Sequence, residues 1–193
     1  GPPQMIIRTR YWALLAVWVL LSSCAVSPTG RTQFIIISPD AAIIESEAAY
    51  MDTVQQLDDE DKLVGDPLTV ARVARITGRL VSIAVADFPE SADWKWSVAI
   101  VDDTETVNAW CMAGGRMAVY TGLFDQLKLT DDEFAQIMGH EISHALANHT
   151  AERMSQAMAT AAGMAVIGAA SDNSSVAMAG ASMLANVALT LPN

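Results

Sequence analysis

Cysteine is nearly missing from this chain of 193 residues: Cys24 and Cys111 are the only two, too few for a disulfide framework. Basic residues are also scarce, 11 against 22 acidic ones. The net charge of -11 is spread along the chain with no long block of either sign, which argues against a nucleic-acid surface. No internal repeat is visible. Histidine occurs three times only, at His140, His144 and His149, and beyond Glu152 there is neither a glutamate nor a histidine. What the chain has in quantity is apolar residues, 52%, ample to bury the core of one domain.

Gly1 to Gln4 precede a methionine with the look of a natural start, so GPPQ is set aside as a scar. Residues 5–23 then read as an export signal. Arg8 and Arg10 supply positive charge, Tyr11 to Leu21 form an apolar run of 11 residues, and Leu21-Ser22-Ser23-Cys24 resembles a bacterial lipobox. A spanning helix needs about 20 residues, so this run suits a cleaved signal better than a membrane span. Cys24 is thus the expected lipid-bearing residue. A lipidated Cys24 has no thiol to offer Cys111, and no disulfide is expected; Cys111 itself reads as a small buried hydrophobe.

Residues 24–38 read as a tether carrying the apolar patch Phe34 to Ile37, and residues 39–193 as one domain. Ser38-Pro39 and Asp66-Pro67 each place a capping side chain before a proline at the first helical position. They predict a helix with Ile44, Met51 and Val54 on its apolar face. A second helix follows, with Val70, Val73, Ile76, Leu80 and Val81. WKWSVAIV, VNAWCM and RMAVY, with a Gly114-Gly115 turn, predict short antiparallel strands. Thr130 to Glu133 is a capping-box sequence, so the histidine stretch lies on a helix, expected to continue through ERMSQ. From Ala157 on, the Ala/Gly/Met-rich tail predicts two packed helices. The fold class is α+β, mostly helical with a small antiparallel sheet beside the histidine helix.

GHEISHALANH, Gly139 to His149, carries the chemistry. Residues four apart share a helix face, so His140 and His144 can give two imidazole nitrogens to one zinc ion. Glu141 lies about 100° round the helix, where its carboxylate can act as general base towards a water activated by the ion. His149 follows His140 by nine residues, about 900° of rotation, which sets it on the opposite side of a continuous helix. A packing or supporting role fits it better than ligation. Glu152 lies about 12 Å farther along that helix than His144, and Asp172, in the SDNSS turn, reads as a solvated or capping residue.

These residues resemble the HtpX-, BepA- and LoiP-like metallopeptidases, the broad family that also holds the CAAX prenyl proteases. The likeness rests on GHEISHALANHTAERMSQ and on NAWCMAGGRMAVYTGLF, Asn108 to Phe124, where Ala113 stands in place of the family's usual proline. The resemblance implies a zincin-like domain with one Zn2+ per site, His140 and His144 as ligands and Glu141 as catalytic base. It also implies that the strand Asn108, Ala109, Trp110, Cys111 and Met112 pairs with substrate backbone. The third ligand is implied to be a glutamate on a later helix, expected beyond Asn193, so the 193-residue form is expected to bind zinc weakly and to be poorly active.

The function so implied is a zinc metalloendopeptidase acting on polypeptide substrates, among them misfolded or misassembled envelope proteins. Its expected place is the periplasmic face of a bacterial outer membrane, held there by the Cys24 lipid. No nucleic-acid partner is expected, and the oligomeric state is left open. Two other classes compete: a non-catalytic lipoprotein scaffold or binding protein with an incomplete metal site, and a helical membrane-interaction protein built on the tail.

Overall fold

The computed structural model describes residues 24–28, 30–171, 173–176, 178, 179 and 182. The export signal and Asp172 fall outside these residues. Both proline-led helices form where their caps predict. Helix α1 spans Pro39–Asp59, its first turn closed by the Ser38 hydroxyl, which accepts the Ala41 N–H at 3.1 Å. Helix α2 spans Pro67–Asp87, capped by the Asp66 carboxylate, which accepts from the Thr69 N–H at 2.9 Å. The apolar face of α1 is only partly the expected one, since Val54 packs against the core but Ile44 and Met51 do not. Ile44 is 67% exposed and Met51 53%, whereas Ala42, Ser46 and Tyr50 are buried. Small residues on that face let the helix come close, while the Tyr50 hydroxyl donates to the Met117 carbonyl at 3.0 Å.

The sheet holds three strands, β3 (Ser97–Val101), β4 (Ala109–Cys111) and β5 (Arg116–Tyr120), in the order β3-β5-β4. β4 and β5 form the expected antiparallel hairpin, but β3 runs parallel to β5, so the sheet is mixed rather than antiparallel. Period-two patterning sets which face a residue takes and is blind to strand direction. That is why the expectation failed there. Alternation along the strands loads both faces. Trp110, Met112 and Ala118 pack with Tyr50 of α1, whereas Cys111, Met117 and Val119 join α2 and the histidine helix in the larger cluster.

The connection from β3 to β4 is held by side-chain and main-chain hydrogen bonds. Thr121 Oγ1 accepts the Asp103 N–H at 2.9 Å, and the Asp103 carbonyl accepts the Gly122 N–H at 3.0 Å. Gly122 opens a short helix α3 (Gly122–Leu127), and a Cβ there would stand 2.1 Å from the Thr106 carbonyl oxygen.

The segment read as a tether forms an antiparallel pair, β1 (Cys24–Val26) with β2 (Thr32–Phe34), ahead of the apolar patch. Ile35 and Ile37 pack against Ala42, Ala113 and Ala151. Ser155 Oγ accepts the Ile36 and Ile37 N–H groups at 2.8 and 2.9 Å. Among the described residues, no helix is long and apolar enough to cross a membrane.

Candidate metal centre

Helix α4 (Asp131–Leu146) carries HEISH. Its start is doubly fixed. In the capping box, the Thr130 N–H donates to the Glu133 carboxylate at 2.8 Å, and the Glu133 N–H to Thr130 Oγ1 at 3.2 Å. Arg72 and Arg75 of α2 reach Asp131 at 2.7 and 2.6 Å, and the Arg72 hydrogen bond is the main reason that its carboxyl sits below the usual aspartate range. Phe134, Met138 and Ile142 face the core, which leaves His140 exposed and Glu141 half-buried at an open cleft of about 500 Å³, with His144 half-buried one turn on from His140. Leu129, Glu133, Gln136 and Ile137 complete its lining.

His140 Nε2 lies 2.9 Å from His144 Nε2. Two nitrogens about 2.0–2.1 Å from one tetrahedral ion would be about 3.3 Å apart, so the pair meets the spacing of a shared zinc after a shift of a few tenths of an ångström. Burial, and then the neighbouring His140, hold the His144 pKa below the ordinary histidine value, which keeps its lone pair available at neutral pH. The residues present therefore fit a metal as two of its ligands. Among the described residues no group of three His, Cys, Asp or Glu side chains gathers to hold an ion.

The helix does not continue through ERMSQ. It ends at Leu146, Asn148 takes the left-handed conformation at φ 60°, and a new helix, α5 (His149–Ala170), begins at once. Asparagine is among the few residues that reach this region at modest cost. Ala147-Asn148 thus does what a glycine does in other sequences, and Asn148 was the available signal. The Ala147 carbonyl at the break accepts from the Gln33 amide at 2.7 Å. The turn brings His149 back beside His144, with Nδ1 to Nδ1 at 2.5 Å, which overturns the opposite-side placement. It lies on the side of His144 away from His140, so it does not join that pair on one ion.

Glu152 also leaves the expected line. It is ion-paired with Arg31 and accepts from Gln33 at 3.1 Å; burial pushes its pKa up, but these partners and His149 outweigh it and hold it below the usual range. Gln33 is 2% exposed and serves both sides of the break. Gln33→Ala would leave the Ala147 carbonyl unpaired, and we expect it to cost about 2 kcal/mol, read as a lower urea midpoint at unchanged m-value. His144 and His149 both titrate below the ordinary 6.5, each chiefly through burial. Their contribution to stability is full above that value and is lost as the pH falls from it. The thermal midpoint of the metal-free protein should therefore drop from pH 7 to pH 5, and a flat profile would refute this.

Among the described residues, strand β4 is an edge of the sheet, paired with β5 alone. The Asn108 carbonyl accepts from Tyr120 at 3.1 Å and the Met112 N–H donates to Arg116 at 2.8 Å, so Asn108, Trp110 and Met112 spend their main-chain groups on β5. Those of Ala109 and Cys111 point the other way. The Cys111 side chain packs with Met138, Ile142 and Ala145 of α4, and burial, aided by the Glu141 charge, pushes the thiol far up.

Residues 67–192 match the model for peptidase family M48. The chain is 29% identical over 130 residues to the metalloprotease YcaL of Escherichia coli, 67% of this chain and 45% of that protein. It is 37% identical over 87 residues to the metalloprotease LoiP of the same organism, 45% and 33% of the two chains. With the mitochondrial metalloendopeptidase OMA1 of Bos taurus it shares 29% over 154 residues, 79% and 28%. The chain spans less than half the length of each of these relatives. No solved structure matches it.

Proposed function

The chain belongs to peptidase family M48, and on that premise we propose that it is a zinc metalloendopeptidase in which His140 and His144 hold the ion and Glu141 is the base. The observation that carries this is the convergence of the two Nε2 atoms at 2.9 Å on α4, beside the cleft that His140 and Glu141 line. The third ligand comes from outside the described residues. When bound, zinc supplies Lewis acidity, lowering the pKa of a water to about 7 and polarising the scissile carbonyl.

The residues of the chain do the rest. Glu141 takes a proton from the water as its oxygen attacks the carbonyl carbon, and returns it to the amine as the C–N bond breaks. The outward main-chain groups of Ala109 and Cys111 hold the substrate as an added strand, with Asn108, Trp110 and Met112 fixing that edge from behind. Leu129 and Ile137 offer an apolar wall to a substrate side chain.

We place the protein at the periplasmic face of an outer membrane through Cys24, acting on misassembled envelope proteins. The lipobox-like sequence supports the anchor. A relative from Vibrio cholerae, 24% identical over 152 residues, is described as a putative beta-barrel assembly-enhancing protease and supports the substrate class. The test is hydrolysis of unfolded casein by the full-length gene product against its Glu141→Gln variant. Equal rates would sink the mechanism, and no hydrolysis by either would favour the scaffold reading.

A further inference from the structure

The imidazole of His144 stands between two others. Its Nε2 faces His140 Nε2 at 2.9 Å, and its Nδ1 faces His149 Nδ1 at 2.5 Å, with ring centroids 4.4 and 4.7 Å away. A neutral imidazole has one N–H donor and one bare acceptor nitrogen, so this chain of three rings admits only two proton orders. In the first, His140 Nε2–H donates to His144 Nε2, and His144 Nδ1–H donates to His149 Nδ1. In the second both bonds reverse.

A free histidine side chain prefers its neutral proton on Nε2. The first order leaves His140 and His149 in that preferred form and only His144 in the rarer one, whereas the second puts both outer rings in the rarer form. The first order is therefore favoured. It leaves His144 Nε2 bare on the side facing His140, as ligation by that ring demands, while the exposed His140 ring must move its proton from Nε2 to Nδ1 before it ligates.

We propose that His149 is a positioning residue: it accepts the Nδ1–H of His144 and so holds that imidazole in the tautomer and orientation needed for ligation. The proposal rests on the reading of His140 and His144 as ligands. It gives a purpose to the break in the helix. Asn148 turns the chain, Gln33 holds the Ala147 carbonyl, and the half-buried ring of His149 is set against the back of His144. A continuous helix would leave that nitrogen to water, which accepts a proton equally well from either tautomer.

The ring nitrogens can be read without metal or substrate. With three histidines in the chain, a long-range 1H–15N correlation spectrum of the chelator-treated protein near pH 8 holds three ring patterns. His144 is expected as the Nδ1–H tautomer. His149→Phe keeps a ring but removes the acceptor, and should convert His144 to Nε2–H; His149→Gln restores an acceptor and should retain Nδ1–H. Zinc affinity by chelator competition should weaken roughly 10–100-fold in His149→Phe, with partial recovery in His149→Gln.

An Nε2–H tautomer of His144 in the unaltered protein overturns the proposal, as does an unchanged tautomer in His149→Phe. That first reading needs no variant, so a misfolded variant cannot obscure it. If the full-length gene product holds no zinc at all, the metal-centre reading fails, while the tautomer still decides what His149 does.

Discussion

Glu141→Gln is expected to lower peptide-bond hydrolysis by the full-length gene product by about 10²–10⁴-fold, the range that a positioned general base supplies. Glutamine keeps the shape of the side chain and its place on α4 while losing the proton acceptor. The effect should fall on kcat and kcat/KM together, because the missing interaction belongs to the transition state. His140 and His144 are untouched, so zinc content should stay level with that of the unaltered protein. Lost zinc together with lost activity would mean that Glu141 helps hold the ion, and its role as base would need revision. The Glu141→Asp variant adds a second check: it keeps a carboxylate but withdraws it by one methylene, so partial recovery is expected where the proton transfer depends on reach.

Gly122→Ala is the second large effect, and it falls on stability. The added Cβ would stand 2.1 Å from the Thr106 carbonyl oxygen and 2.9 Å from that of Thr104, backbone atoms that cannot rotate away. The loop they belong to leads into Ala109 and is fastened to Thr121 and Gly122 through Asp103. Relief therefore requires the loop to move, at about 3 kcal/mol, the upper end of ordinary overpacking costs. For a domain of this size that corresponds to a fall in Tm of roughly 6–12 °C. Gly78→Ala is the control: it lies within α2 with nothing within 4 Å of its missing Cβ, so it should gain about 0.5–1 kcal/mol. Were both substitutions neutral, the close passage of the 104–106 loop over Gly122 would be wrong.

Several elements were legible in the sequence because their causes are local. Ser38-Pro39, Asp66-Pro67 and Thr130 to Glu133 place a capping group within one turn of the N–H groups it serves, and all three start helices as expected. The Gly114-Gly115 turn is of the same kind, with φ of 84° and 82° that only glycine adopts freely. HExxH spacing likewise depends on the helix repeat alone, which sets His140 beside His144.

What the tertiary structure decided is what depends on partners far away in the chain. The direction of β3 relative to β5 is a matter of connection rather than pattern. Which face of α1 is buried is set by the sheet, which takes Tyr50 and leaves Met51 in water. The break at Asn148 is the plainest case. Propensity weakly favours a continuous run, but Gln33, 114 residues earlier, satisfies the carbonyl that the break exposes. The sequence alone determined that two histidines would share one helical face, with a glutamate about 100° round from it. Only the fold could set His149 behind them, because a left-handed residue costs little when a distant buried amide meets the backbone group it frees.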